Sequence, residues 1–186
     1  MPASRTVLLV MDFQDGIVQR IGDRSVVDAA SRAIAAARAR HLAVVYVRVA
    51  FRPGYPEVAE ANAGFSTVAR TGDAMTEPHP ATQVHAALEP RPDEPIVVKR
   101  RVSAFSGSDL DVLLRSAGAA ELVLAGIATG GVMLSTLRQA ADLDYRLTVL
   151  ADACVDPDPE IHRVLIEKVF PRQAHVTTTD EWIATL

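Results

Sequence analysis

A single cysteine, Cys154, stands among 186 residues, so no internal disulfide framework can form. Aromatic residues make up only 5%, within a hydrophobic fraction of 49%, so Ala, Val and Leu must build most of the core. No apolar run is long enough to span a membrane. The apolar part of "MPASRTVLLVMDFQD" is too short for a secretory leader and is interrupted by Asp12. A net charge of -4 argues against nucleic acid as a partner. There is no internal repeat and no G-x-G-x-x-G. The glycine-rich "GIATGG" continues with Val132 and Met133 where a Walker A loop needs Lys and Ser or Thr. The five histidines, His41, His79, His85, His162 and His175, form no pair at metal-ligand spacing. These absences leave one expectation: a cytoplasmic, single-domain protein over 1–186 that acts on a small molecule without cofactor or metal.

What is present is an alternation of two patterns. Near-continuous apolar runs lie at "TVLLVMD" (6–12), "LAVVYVRVAF" (42–51), "EPIVVKR" (94–100), "ELVLAG" (121–126), "YRLTVLADAC" (145–154) and "AHVTTT" (174–179). Helical spacing falls at 25–40 with Ser25 as N-cap, and in a short segment at 81–90. It recurs at 108–118, between Ser108 as cap and Gly118 as stop, then from the glycine turn to Leu143, and at 158–170. Strands that are apolar throughout, rather than alternately, belong to a parallel sheet covered on both faces. The expected fold is α/β: a six-stranded parallel, doubly wound (Rossmann-like) sheet. Its ligands would sit at the carboxyl ends of the strands, near the switch point. Residues 52–80, rich in Gly, Pro and small polar residues, read as a long irregular surface excursion, the kind that serves as a lid or an interface.

Lysine is scarce as well. Lys99 and Lys168 are the only two among 19 basic residues, so a lysine here is a choice over arginine and points to a specific task. Asp12 closes the first strand, Lys99 the third, and Gly126 to Val132 follow the fourth. If those strands are neighbours, a carboxylate, an ammonium and a helix N-terminus converge on one crevice. Each has a plainer reading: a turn residue, a snorkelling rim lysine, a glycine turn. Together they make a site, because a buried Asp–Lys pair is costly to desolvate and is a way to shift proton affinities. Amide groups of the glycine turn could hold an anion or an oxyanion. Thr129 and Ser135 are nearby hydroxyls with no base evident in the sequence. The histidines read as solvated or locally bonded, and Cys154 as a small buried hydrophobe.

Four segments carry a family resemblance: "VLLVMDFQD", "VVKRRVSAFSGSDLDVLL", "LVLAGIATGGVMLSTLRQAADLDYRLTVLADAC" and "HRVLIEKVF". They resemble the isochorismatase-like hydrolases, also called the cysteine hydrolase superfamily, over nearly the whole chain except 52–80. The resemblance implies a six-stranded parallel sheet with helices on both sides. In the amidohydrolases of that family the triad is an Asp after the first strand, a Lys in a K-x-x-x-S-A-F segment, and a Cys in a G-x-x-T-x-x-C-V turn. Asp12 and Lys99 match the first two; Val132 occupies the nucleophile position. The resemblance also implies a cis peptide at Ile127–Ala128. It gives no counterpart to the nicotinamidase Asp/His metal set in "VRVAFRPGYPE". A valine cannot form a thioester. One branch, the isochorismatases, has Gly at that position and uses the Asp as general acid on a vinyl ether; the turn T-G-G-V departs from theirs, which leaves the substrate open.

The expected site therefore has Asp12 and Lys99 as catalytic groups and Val132 at the nucleophile-equivalent position. Phe13, Gln14, Phe105, Ala128, Thr129, Gly130 and Gly131 are expected to line the oxyanion and substrate side. The first reading is a cysteine-independent hydrolase of a small metabolite. The others are a small-molecule binding protein and an oligomeric pseudoenzyme scaffold. In each the chain is expected to pair with itself, most simply as a homodimer.

Overall fold

The computed structural model of the chain describes residues 5–70 and 72–186. Residues 1–4, the start of the stretch read above for a leader, and Thr71 of the excursion lie outside the described residues. The apolar runs form β1 (Arg5–Met11), β2 (Ala43–Val49), β3 (Ile96–Lys99), β4 (Ala119–Ile127), β5 (Arg146–Val155) and β6 (His175–Thr177). They make one six-stranded sheet in the order β3-β2-β1-β4-β5-β6, with every pairing parallel. The order reverses between β1 and β4, so the switch point lies between the ends of those two strands. Among the described residues no helix is long and apolar enough to cross a membrane.

The continuous apolar character of the strands follows from two cores. On one face α2 (Arg24–Ala39) lays Ala29, Ala30, Ala33, Ile34 and Ala37 against Leu8, Val10 and Tyr46. Alanines at that spacing let the helix approach closely. On the other face α4 (Leu110–Ser116) and α5 (Leu134–Asp142) pack over Leu9, Met11, Val47 and Leu124. Leu8 and Leu9 are both fully buried, one in each core. Burying such a side chain stabilises the fold by about 1.5–3 kcal/mol relative to exposure.

Several expected boundaries are corrected. The segment 81–90 is two single 3-10 turns, Pro80–Thr82 and Ala86–Leu88, not one helix. The 158–170 helix starts as α6 (Pro159–Val164), widens to a π turn over Leu165–Val169 and tightens at Phe170–Arg172. The excursion contains a helix, α3 (Ala63–Ala69). Two further helices, α1 (Asp15–Ile21) and α7 (Thr179–Ala184), were not expected. The cap of α2 is Asp23, whose carboxylate accepts the Ser25 amide at 2.9 Å; Ser25 is the capped residue. Gly118 does follow α4, at φ 65°.

Candidate active site

β1 delivers Asp12 just past its last residue. Its backbone turns into the left-handed region at φ 60°, while its amide still donates to the Val47 carbonyl at 2.8 Å. Asp tolerates that region better than most side chains. Lys99 ends β3, level with Val49 of β2. One strand separates the two residues, so the lysine side chain must cross about 10 Å, two strand spacings. Its four-carbon stem does so, and Nζ reaches Asp12 Oδ2 at 2.9 Å. The other two ammonium protons go to the Arg101 and Val102 carbonyls, both at 3.0 Å. Three donors thus meet three acceptors.

The carboxylate is less well served. Asp12 Oδ1 is buried and has no hydrogen-bond partner. Asp12 is 5% exposed and Lys99 2%. Burial pushes the Asp12 carboxyl up; the Lys99 charge and hydrogen bond, and then the Val49 amide, oppose that and do not cancel it.

β4 runs past Gly126 to Ile127 and is followed by a cis Ile127–Ala128 peptide. Gly126 packs so closely that a Cβ there would lie 3.0 Å from Met133 Sδ and 3.1 Å from the Met11 carbonyl. A π turn over Thr129–Met133 then leads into α5, with Gly131 at φ -100° and ψ -107°. Two amides expected to face a ligand have partners of their own. Gly130 donates to Asp156 Oδ2 at 2.7 Å, and Gly131 to the Ala128 carbonyl at 3.1 Å. Thr129 is fully buried, with Oγ1 2.8 Å from His162 Nδ1. The hydroxyl without an evident base therefore has an imidazole beside it, on α6. His162's proton affinity is lowered by burial, against the pull of Asp156. Because Thr129 has no exposed surface, this contact fixes the turn.

Val132 is 2% exposed and belongs with Met133, Phe105 and Cys154 to one apolar cluster. Burial pushes the Cys154 thiol up to about 12. Gln14 is fully buried with its amide engaged on both sides: Nε2 donates to the Val49 and Thr82 carbonyls at 2.9 Å, and Oε1 accepts the Val49 amide at 2.8 Å. Gln14 thus ties the ends of β1 and β2 to the returning excursion, and its geometry is that of a brace. Phe13 is buried in the α2 core. His79 is locally bonded, accepting the Ala81 amide, whereas His85 meets Asp15, 70 residues away, at 2.6 Å. Among the described residues no group of three or more His, Cys, Asp or Glu could hold a metal ion.

A doubly wound parallel sheet with an acid–ammonium pair at its carboxyl edge, beside a cis-peptide turn, defines a class of strand-end site. Residues 6–181 match the isochorismatase domain. The isochorismatase family protein YecD of Escherichia coli O157:H7 is 32% identical over 188 residues, covering 99% of this chain and 97% of that protein. An Arabidopsis thaliana protein named "Probable inactive nicotinamidase" is 30% identical over 185 residues, covering 95% of this chain and 94% of its own. An isochorismatase family protein structure from Burkholderia thailandensis superposes with a TM-score of 0.84 at 27% identity, covering 97% of this chain and 95% of that one. The chain belongs to the isochorismatase family.

Proposed function

We propose that the chain is a hydrolase of a small metabolite that works without a thiol nucleophile, with Asp12 as its proton donor and Lys99 as the group that holds and tunes it. The observation that carries this is the state of Asp12: buried, paired to Lys99 through Oδ2 only, and raised in proton affinity. A buried polar atom without a partner calls for a reason. Oδ1 is the atom left free to give a proton, and burial favours the protonated form of this carboxyl. The thiol route has no occupant: Val132 stands in the turn, and Cys154 is buried in the apolar cluster with its thiol pushed up to about 12.

The chemistry that fits is hydrolysis of an acid-labile bond such as a vinyl ether. Asp12 Oδ1 would give its proton to the terminal vinyl carbon, leaving an oxocarbenium ion. Water adds to the oxocarbenium carbon, the one bonded to the ether oxygen, and the water's proton returns to the Asp12 carboxylate. The hemiketal then breaks its C–O bond, releasing an alcohol and a ketone. No step needs a metal or cofactor. In this reading the protein works in the cytoplasm as a homodimer. Phe105, Ala128 and the Val132 side of the turn line the substrate space once it opens.

A second reading, a binding protein or pseudoenzyme, is favoured by one specific feature. Val132 and Phe105 are 2% and 8% exposed and Met133 is fully buried, so apolar side chains fill the strand ends. Assay of small enol ethers and N-carbamoyl compounds, with Asp12→Asn beside the wild type, separates the two. The hydrolase reading expects kcat to fall about 10²–10⁴-fold in Asp12→Asn, the usual worth of a positioned general acid. It also expects wild-type rate to fall as pH rises through the raised Asp12 pKa, and iodoacetamide to have no effect. Turnover that survives Asp12→Asn, or ligand binding with no turnover of any compound, sinks it.

A further inference from the structure

Asp12 and Lys99 are sealed, so any ligand that reaches them needs part of the surrounding surface to move. The turn that follows Lys99 shows which part. Arg100 faces two carboxylates from the excursion, Glu57 and Glu77, and Arg101 faces the Glu57 main-chain carbonyl. Arg100 Nη2 is paired with Glu77 Oε1, and Arg100 Nε lies 3.4 Å from Glu57 Oε1. Arg52 Nη1 meets the same Glu57 oxygen at 2.5 Å. Arg101 Nη2 donates to the Glu57 carbonyl at 2.9 Å. Arg48 reaches the Glu77 carbonyl at 3.3 Å. Its proton affinity is lowered by burial and further by the charge of Arg100 beside it, while Glu77 opposes both.

Two guanidiniums, of Arg52 and Arg100, thus hold the two carboxylates, while Arg48 and Arg101 bind main-chain carbonyls of the same two glutamates. The fit is incomplete on the acidic side, since Glu57 Oε2 is buried with no partner. Arg100 is largely buried and Arg52 exposed, and guanidiniums that share one anion can exchange it for another that satisfies them better. The contacts holding residues 52–58 to this turn are polar and charged, so they can be exchanged for those of another oxyanion. The turn also bears on Lys99 itself: Arg101 and Val102 supply the two carbonyls that hold its ammonium.

We propose that residues 52–58 are a latch, in which the Glu57 carboxylate occupies an oxyanion site formed by Arg52 and Arg100, and that a small carboxylate or phosphate ligand opens the strand-end site by taking Glu57's place. Glu57 acts as an internal stand-in for the ligand. When it leaves, Arg101 is freed from the Glu57 carbonyl, and the turn that clamps Lys99 is freed with it. The latch goes beyond the Asp12 reading and supplies the opening which that reading needs.

The test is a titration of the full chain at constant ionic strength, with malonate as the carboxylate and inorganic phosphate as the alternative. It is read by calorimetry and by hydrogen–deuterium exchange. The anion should speed amide exchange across 52–58. Glu57→Gln should bind the same anion about tenfold more tightly, because its internal competitor has lost its charge. Arg100→Gln should lose the binding. Glu57→Gln is nearly isosteric; should it fail to fold, Glu57→Ala, which also removes the internal carboxylate, carries the same comparison. Preference for malonate identifies a carboxylate ligand, and preference for phosphate identifies a phosphorylated one; both support the latch. Equal affinity in wild type and variant, no binding by either, or exchange at 52–58 that ignores the anion overturns it. No readout depends on turnover, so the latch and the Asp12 mechanism fail separately.

Discussion

Lys99 is a lysine in an arginine-rich chain because its place needs a point charge on a long stem. It crosses the end of β2 and gives its three protons to Asp12 and two carbonyls. A planar guanidinium would present five donors to those three acceptors. Removing one member of a buried pair costs about 3–5 kcal/mol, so Lys99→Met should lower stability by that order in urea unfolding. The sign of the pH effect follows from Asp12. Its folded pKa is raised, so its contribution is fully present below the unfolded carboxyl value of about 3.9 and is lost as pH rises through the folded value. Lys99 is what opposes that rise. Without it the folded pKa climbs further, and the stability lost in Lys99→Met should grow as pH rises through the folded Asp12 value. Adding Asp12→Asn to Lys99→Met should recover part of the loss; strict additivity of the two would mean they are not coupled. Val132 gives a second check. Val132→Cys would carry a thiol in the π turn that leads into α5, while Cys154 stays buried with its thiol pushed up to about 12. The new thiol should react with iodoacetamide faster than Cys154, the background of the wild type, and equal rates would place the site elsewhere. Asp12 and Lys99 were legible because strand ends converge by topology. The bracing role of Gln14, expected to face a ligand, and the His162 contact with Thr129 were not. Gln14 meets partners 35 and 68 residues away, and His162 meets Thr129 across 33 residues; no local pattern announces either contact.

The strands were legible for a related reason, since a parallel strand buried on both faces writes its burial into every residue. Short elements held by tertiary contacts were less so. Residues 81–90 have helical spacing, yet their backbone is committed elsewhere: the His85 amide donates to the Phe13 carbonyl, and the Gln83 carbonyl accepts the Asp15 amide. Those bonds pin the segment beneath β1 and leave only single turns. α1 has no buried residue, so no apolar stripe marked it. α7 had a readable signal, the capping box of Thr178 and Glu181, hidden behind the β-like "HVTTT" that precedes it. The return from this segment into β3 is locked to α2 by a nearly buried pair. Arg38 Nη2 and Nε hold both Glu94 oxygens, at 2.7 and 2.8 Å, and Arg38 also donates to the Tyr46 hydroxyl and the Glu89 carbonyl. Burial pushes the Glu94 carboxyl up, but the Arg38 hydrogen bonds, the Arg91 amide and the nearby charges more than offset it, and the net shift is downward. Its stabilisation is therefore present above the unfolded value of about 4.3 and is lost as pH falls through the folded one. Glu94→Gln should lower the urea midpoint near neutral pH, with the gap to wild type closing on acidification. A gap that stays constant from neutral to acid pH would show that the charge contributes nothing.

A single chain of this fold leaves several apolar side chains in water. Val112 is 68% exposed on α4, whose Leu110 and Leu114 are buried in the core below it. Val102 is 42% exposed in the turn after Lys99, and Leu143 is 38% exposed where α5 ends. One such residue alone means little, but these three lie on segments that pack over the same core. A twofold dimer needs a patch that complements itself, and an outward valine on a helix can lie against its own copy. Association through this face would bear on the site, because the Val102 carbonyl is one of the two that hold the Lys99 ammonium. The expected outcome is a dimer by light scattering at micromolar concentration, shifted towards monomer by Val112→Lys. Amide exchange in residues 100–106 should then quicken in the variant, while Val112→Lys keeps the circular dichroism of the wild type. A wild type that scatters as a monomer at every concentration would remove this face as an interface. A dimer that ignores Val112→Lys would move the interface to another surface and uncouple it from the turn at Lys99.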